Sequence, residues 1–200
     1  MMLIVEDLKI QFNKNLDRFT DDELYEFCLL NKELRIERDA NQNIIIMSPV
    51  GGCSGYREKD LIFAIEYWVR TTGLGRSFSS STGFIMPNGA MRSPDACWIS
   101  DERWSKVTEA QKIKFPPVVP NFVVEVRSAT DSLKGTKAKL EEWITNGVQL
   151  GWLVNTKKEQ VHQYREDGTV EMISGFNQQI SGDPVMPGFK FDLRILLNVP

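Results

Sequence analysis

The apolar periodicity of the chain changes at residues 71–75, "TTGLG". Before it, Leu61, Ile62, Ile65, Trp68 and Val69 recur at i, i+1, i+4, i+7 and i+8, which places them in one stripe along a helix. After it, apolar residues come in short runs of strand length, "RSFSS", "GFIM", "DACWIS" and "FVVEVRS", with the turn signal "PNGA" between two of them. Flanking segments repeat the alternation. "TDDEL" is a capping box, Thr20 with Glu23, that opens a helix to Asn31, and "LRIER"–"DANQN"–"IIIMSP" reads as a hairpin. "DSLKGTKAKLEEWITNG" carries Leu133, Leu140, Trp143 and Ile144 on one helical face and Gly147 as its stop. "LGWLVN", "VHQYR" and "PGFKFDLRILL" read as closing strands, and "DERWSKVTEAQKIKFPPVVP" as a polar connection with one helical turn. The order helix, hairpin, helix, strand meander, helix, hairpin predicts an α/β (α+β) fold with a central mixed sheet flanked by helices and extra N-terminal and C-terminal hairpins.

Two hundred residues, 42% hydrophobic and 26% charged, are expected to form one domain over 1–200 without metal or disulfide staples. A net charge of -3 excludes a sequence-wide basic surface, so a polyanion site has to be local or metal-assisted. Cys28, Cys53 and Cys97 are scattered, with no CxxC pair, which favours buried thiols over disulfides or zinc. A single histidine, His162, removes His-ligated zinc centres and Ser-His or Cys-His nucleophiles, and its place in "QVHQYR" reads as an ordinary strand side chain. The start "MMLIVEDLKI" has no positive segment ahead of its apolar residues, and no run approaches the roughly 20 residues that span a bilayer. These features predict a cytoplasmic protein. "GGCSG" lacks the lysine of a phosphate-binding loop and reads as a flexible lead into a helix, and the five tryptophans as core and interface residues.

The chemistry lies in the carboxylates. In "FVVEVRSATD", residues 122–131, strand period puts Val123, Glu125 and Arg127 on one face and Phe122, Val124 and Val126 on the other. In "SPDACWIS" the same period groups Asp95, Cys97 and Ile99, with Asp95 at the strand's start. If the two strands are neighbours, about 4.8 Å apart, Asp95 and Glu125 can hold one divalent cation, and Mg²⁺ suits such a pair because it keeps several waters. Arg127 could stabilise charge on a phosphate but stays protonated, whereas Lys139 on the following helix could reach the end of the sheet. Taken alone, Glu125 and Arg127 are more commonly a surface ion pair.

"SPD", "VEVRSATD", a lysine in "KAKLEEW" and "NGVQLGWLVN", together with "IIIMSPVGG", "GYREKD", "SSSTGFIMPNGAMRSPDACWIS" and "PPVVPNFVVEVRS", resemble the bacterial Uma-type endonuclease family over roughly residues 33–195. That family belongs to the PD-(D/E)XK restriction-endonuclease-like superfamily. The resemblance implies a Mg²⁺- or Mn²⁺-dependent nuclease acting on DNA, with Asp95 and Glu125 as the catalytic residues that ligate the metal. Arg127 stands where the superfamily places lysine, and Lys139 is the residue that would replace it; Glu58 or Asp60 on the early helix would complete the site. A homodimer is expected, since cutting both strands of a duplex is simplest with two sites. The alternative is a catalytically inactive member that keeps the fold to bind DNA or protein.

Overall fold

The structure, a computed structural model, describes residues 19–128 and 131–198 and the backbone of a strand at 8–10. In chain order the elements are β1 (Leu8–Ile10), α1 (Asp21–Leu30), β2 (Arg35–Arg38), β3 (Ile44–Met47), α2 (Gly52–Thr72), β4 (Arg76–Ser79), β5 (Phe84–Ile85), β6 (Met91–Arg92) and β7 (Ala96–Ile99). They continue with α3 (Asp101–Trp104), α4 (Glu109–Lys112), β8 (Phe122–Val126), α5 (Leu133–Thr145), β9 (Leu150–Asn155), β10 (Gln160–Arg165), β11 (Val170–Ser174), β12 (Gln179–Ser181), β13 (Lys190–Asp192) and a 3₁₀ helix, Leu193–Leu197.

A six-stranded sheet runs β11-β10-β9-β8-β7-β4; β8 and β9 are parallel, joined through α5, and the other pairs are antiparallel. Apart from Glu125, β8 is apolar on both sides because both faces are covered. Phe122, Val124 and Val126 pack with Leu61, Ile65 and Trp68 of α2 and with Phe189 and Phe191 from the C-terminal hairpin β12–β13. Val123 packs on the opposite face with Cys97, Ile99, Leu153 and with Leu140 and Trp143 of α5. A second sheet, β1-β3-β2-β6-β5, carries a smaller core of Leu24, Ile36, Ile44, Ile85 and Met91. The chain leaves β6 of this sheet and enters β7 of the larger one through Ser93, Pro94 and Asp95, so the "SPD" segment is the seam between the two sheets.

The helices obey their signals. Thr20 and Glu23 form the reciprocal capping box of α1, and α2 stops at Gly73, whose φ of 71° is the left-handed conformation glycine adopts without a Cβ penalty. At Gly151 a Cβ would lie 2.9 Å from Leu140 Cδ1, so bare backbone there lets α5 sit close on β9.

Four readings of the sequence change. Residues 101–120 hold two short helices instead of one turn, because Ser100 and Thr108 each cap one. The last strand ends at Asp192, whose side chain accepts from the Arg194 N–H and starts the 3₁₀ helix; Leu193 and Leu196, three apart, are its buried side. "GGCSG" is the cap and first turn of α2, with Gly51 as N-cap. Of the three free thiols only Cys97 is buried; Cys28 is half-buried and Cys53 exposed. His162 lies within β10, buried, with burial pushing its imidazole down from the usual range. Trp68, Trp98, Trp143 and Trp152 are core residues. The opening segment read for targeting lies outside the described residues apart from β1, whose backbone pairs with β3. Among the described residues no helix is long and apolar enough to cross a membrane.

Candidate metal and phosphodiester site

β7 and β8 are neighbours in antiparallel register, with Ala96 opposite Val124. One step further along, Asp95 lies beside Glu125, and the Asp95 N–H donates to Val124 O at 3.1 Å. Asp95 Oδ2 accepts from the Val126 N–H at 2.6 Å, which fixes one carboxylate oxygen over the end of β8. Glu125 is 4% exposed, and its Oε1 accepts from Trp143 Nε1 at 2.8 Å and Lys139 Nζ at 3.1 Å, both one face of α5. Lys139 and Trp143 are four residues apart, so a single helical face presents the cation and the indole donor to one carboxylate.

Lys139 does more than touch Glu125. Its ammonium also donates to Glu37 Oε1 at 3.0 Å and to the Ser93 carbonyl at 3.0 Å, which uses all three of its protons. Glu37, from β2 of the smaller sheet, is 2% exposed; its Oε1 also accepts from the Ser93 N–H at 3.0 Å and its Oε2 from Arg92 Nη1 at 2.9 Å. Arg92 in turn reaches Glu142 of α5 through Nε at 2.8 Å and Nη2 at 2.7 Å.

Glu58, in the second turn of α2, heads the stripe continued by Leu61, Ile65 and Trp68 and is buried on the sheet side. Asp60 is off that stripe and pairs with Lys59 at 2.9 Å. Arg127 lies just past the end of β8. Its Nε donates to the Asp131 carbonyl at 3.1 Å and its Nη1 to Asn155 Oδ1 at 3.3 Å, so it turns toward β9 and Asp131. Of the residues singled out in the sequence, the fold brings Asp95, Glu125 and Lys139 together with Glu58 close by. Arg127 and Asp60 have partners elsewhere. Glu37, Arg92 and Trp143 were missed, although charges inside the strand "LRIER" are the same kind of signal that drew attention to Glu125.

The electrostatics divide the cluster. Burial pushes the Glu58 carboxyl up to about 7, and the neighbouring Asp95 pushes the same way. Burial likewise pushes Glu125 up to about 8; Lys139 opposes, while Asp95 and Glu37 add to the rise. The close Lys139–Glu125 contact does not reverse this direction, because the same ammonium is shared with Glu37. Asp95 is raised as well, chiefly by burial. For Glu37 burial is outweighed by Lys139, Arg92 and the Ser93 N–H, and the carboxyl stays below its ordinary value. Lys139 is held up against burial by Glu125, Glu37 and Asp95, so it is the ammonium at working pH. Four carboxylates thus share Lys139, with Arg35 acting on Glu58 and Asp95 alone and Arg92 divided between Glu37 and Glu142, and positive charge is short at the Asp95–Glu58 end.

These donors fit a hard divalent cation. They are carboxylate oxygens, and no hydrogen bond from a described residue reaches Asp95 Oδ1 or Glu125 Oε2. Among the described residues no group of three or more His, Cys, Asp or Glu side chains is already gathered tightly enough to hold a metal, so the two strand carboxylates would supply few ligands, as Mg²⁺ accepts.

A model of the Uma2 family, described as putative restriction endonucleases, matches residues 21–195. Among solved structures the chain resembles a putative nuclease belonging to DUF820 from Anabaena variabilis ATCC 29413, with a TM-score of 0.68 and 16% identity, over 80% of this chain and 88% of that one. That likeness establishes a restriction-endonuclease-like fold. No curated protein matches the chain.

Proposed function

Because the chain belongs to the Uma2 family of putative restriction endonucleases, we propose that it is a Mg²⁺- or Mn²⁺-dependent nuclease that hydrolyses DNA phosphodiester bonds in the cytoplasm, as a single domain over 1–200. The observation that carries the reading is the pair Asp95 and Glu125 at the ends of adjacent strands, short of positive charge and capped by the Lys139 ammonium. Asp95 and Glu125 are the metal ligands, with Glu58 beside them. A bound divalent cation supplies Lewis acidity toward the phosphate and an easily deprotonated water. Lys139 fills the role of the superfamily lysine: once Glu125 turns to another ligand, the N–H now on it can orient water or neutralise charge on a phosphate oxygen. Arg127 ties the end of β8 to β9 and is left with holding the Asp131 backbone. A homodimer belongs to the same reading. Exposed Phe63 and Tyr67, stacked on the outer face of α2, offer apolar surface for it, and sedimentation equilibrium giving a monomer at micromolar concentration would remove that part.

The test is cleavage of single-stranded, duplex and branched DNA with Mg²⁺ or Mn²⁺, alongside calorimetric titration of the metal. Wild-type protein should bind metal and cut at least one substrate; Glu125→Ala and Asp95→Asn should each lower cleavage by about 10²-fold or more and abolish the binding heat. Wild-type protein that binds DNA but neither binds metal nor cuts any substrate would leave the inactive binding module as the reading.

A further inference from the structure

Glu37 is the most thoroughly braced carboxylate in the cluster, yet it comes from outside the strands that form the site. One oxygen takes a backbone N–H from Ser93 and the other takes Arg92, which is itself gripped by Glu142 one helical turn beyond Lys139. Such a carboxylate cannot follow a moving partner. Glu125, by contrast, is braced among the described residues by the Trp143 indole alone besides Lys139. The Lys139 ammonium sits between them on a flexible stem, with two of its three protons on Glu37 and the Ser93 carbonyl and the third on Glu125.

We propose that Glu37 is a positioning residue of the nuclease site: it anchors the Lys139 ammonium from the smaller sheet, so that Lys139 neither collapses onto Glu125 nor drifts when Glu125 takes up a cation. The inference rests on the site reading above and goes beyond it by assigning the β2 hairpin a part in the reaction. Without Glu37 the carboxylate still in direct contact with Lys139 among the described residues is Glu125, with Asp95 next in range, and lysine and metal then compete for the same carboxylates. A purely structural ion pair would explain why Glu37 is buried with Arg92 but requires no effect on metal uptake.

The experiment uses the full chain and three variants, Glu37→Gln, Lys139→Met and the double variant, each confirmed as folded by circular dichroism. Mn²⁺ calorimetry and steady-state DNA cleavage are measured on all. Glu37→Gln should weaken Mn²⁺ binding about 10-fold and lower kcat by a similar factor while KM for DNA stays unchanged, and in the Lys139→Met background it should change neither. If wild type binds metal and cuts, but Glu37→Gln matches it in kcat and Mn²⁺ affinity, or its effect persists without Lys139, the inference falls and the site reading stands. If wild type binds no metal, both fall. Should Glu37→Gln fail to fold, Glu142→Gln decides: loosening Arg92 should move Mn²⁺ affinity and kcat the same way by a few-fold, and unchanged values would overturn the inference.

Discussion

The two ends of the carboxylate cluster are equally dry and ionise in opposite directions. At the Glu37 end, a carboxylate 2% exposed receives an arginine, a lysine and a backbone N–H, and stays below its usual range. At the strand end, Glu125 is 4% exposed with an indole N–H and a share of the same lysine, and it rises to about 8. Burial is common to both, so burial alone does not set the charge; the number of cations and N–H donors per carboxylate does. The Glu37 end resembles a finished ion network, and the Asp95–Glu125–Glu58 end resembles one with a cation still to be added.

The largest break in this contrast should come from Lys139→Met, which removes the one cation the two ends share. Urea unfolding should show a loss of about 3 kcal/mol at pH 8, since Glu37 and Glu125 are left buried with less compensation. The loss should shrink at pH 5, where Glu125, raised to about 8, is already protonated in wild type and leaves the lysine no charge there to balance. A loss independent of pH would mean that Lys139 does not balance Glu125.

Glu58→Gln should act in the opposite sense. The folded-state value of about 7 lies above the ordinary carboxyl value near 4.5. The unfolded chain therefore ionises first as pH rises, and stability is lost between those two values. Below that window both states are protonated and Glu58 costs nothing; above it the penalty is complete. In EDTA, Glu58→Gln should match wild type at pH 4.5 and exceed it at pH 8 by on the order of 2 kcal/mol. Thermal melts at the two pH values check this, and a constant offset would place Glu58 outside the cluster.

The smallest effect should belong to Arg127→Ala. Its bonds are to a carbonyl and an amide at the partly exposed end of β8, so unfolding should shift by about 1 kcal/mol or less. Cleavage should fall far less than with Lys139→Met. If Arg127→Ala abolishes cleavage with metal binding intact, the roles given to the two cations are exchanged.

Much of this was legible in the chain. Strand period alone put Cys97 with Ile99 and Glu125 with Val123; Cys97, Ile99 and Val123 share the core on the α5 side and Glu125 bonds Trp143 there, because a two-residue repeat cannot slip without moving every side chain to the other face. Arg127 shares that parity on paper but lies beyond the last residue of β8, where strand period no longer directs a side chain. Glu37 was passed over since nothing local marks a strand in another sheet as the neighbour of an α5 lysine. Glu58 and Asp60 stayed unresolved until the start of α2 fixed the register.

By itself, then, the sequence determined most of the long helices and central strands, which residues share a face within them, and that two acids stand near strand ends. Those properties follow from local periodicity, which each segment carries within itself. Only the tertiary structure decided that the smaller sheet reaches across the "SPD" seam to hold Lys139, that Arg127 turns away, and which carboxylates are left short of charge. Those outcomes depend on distances between residues far apart in the chain and on how many donors meet at one buried oxygen, and no local pattern encodes them.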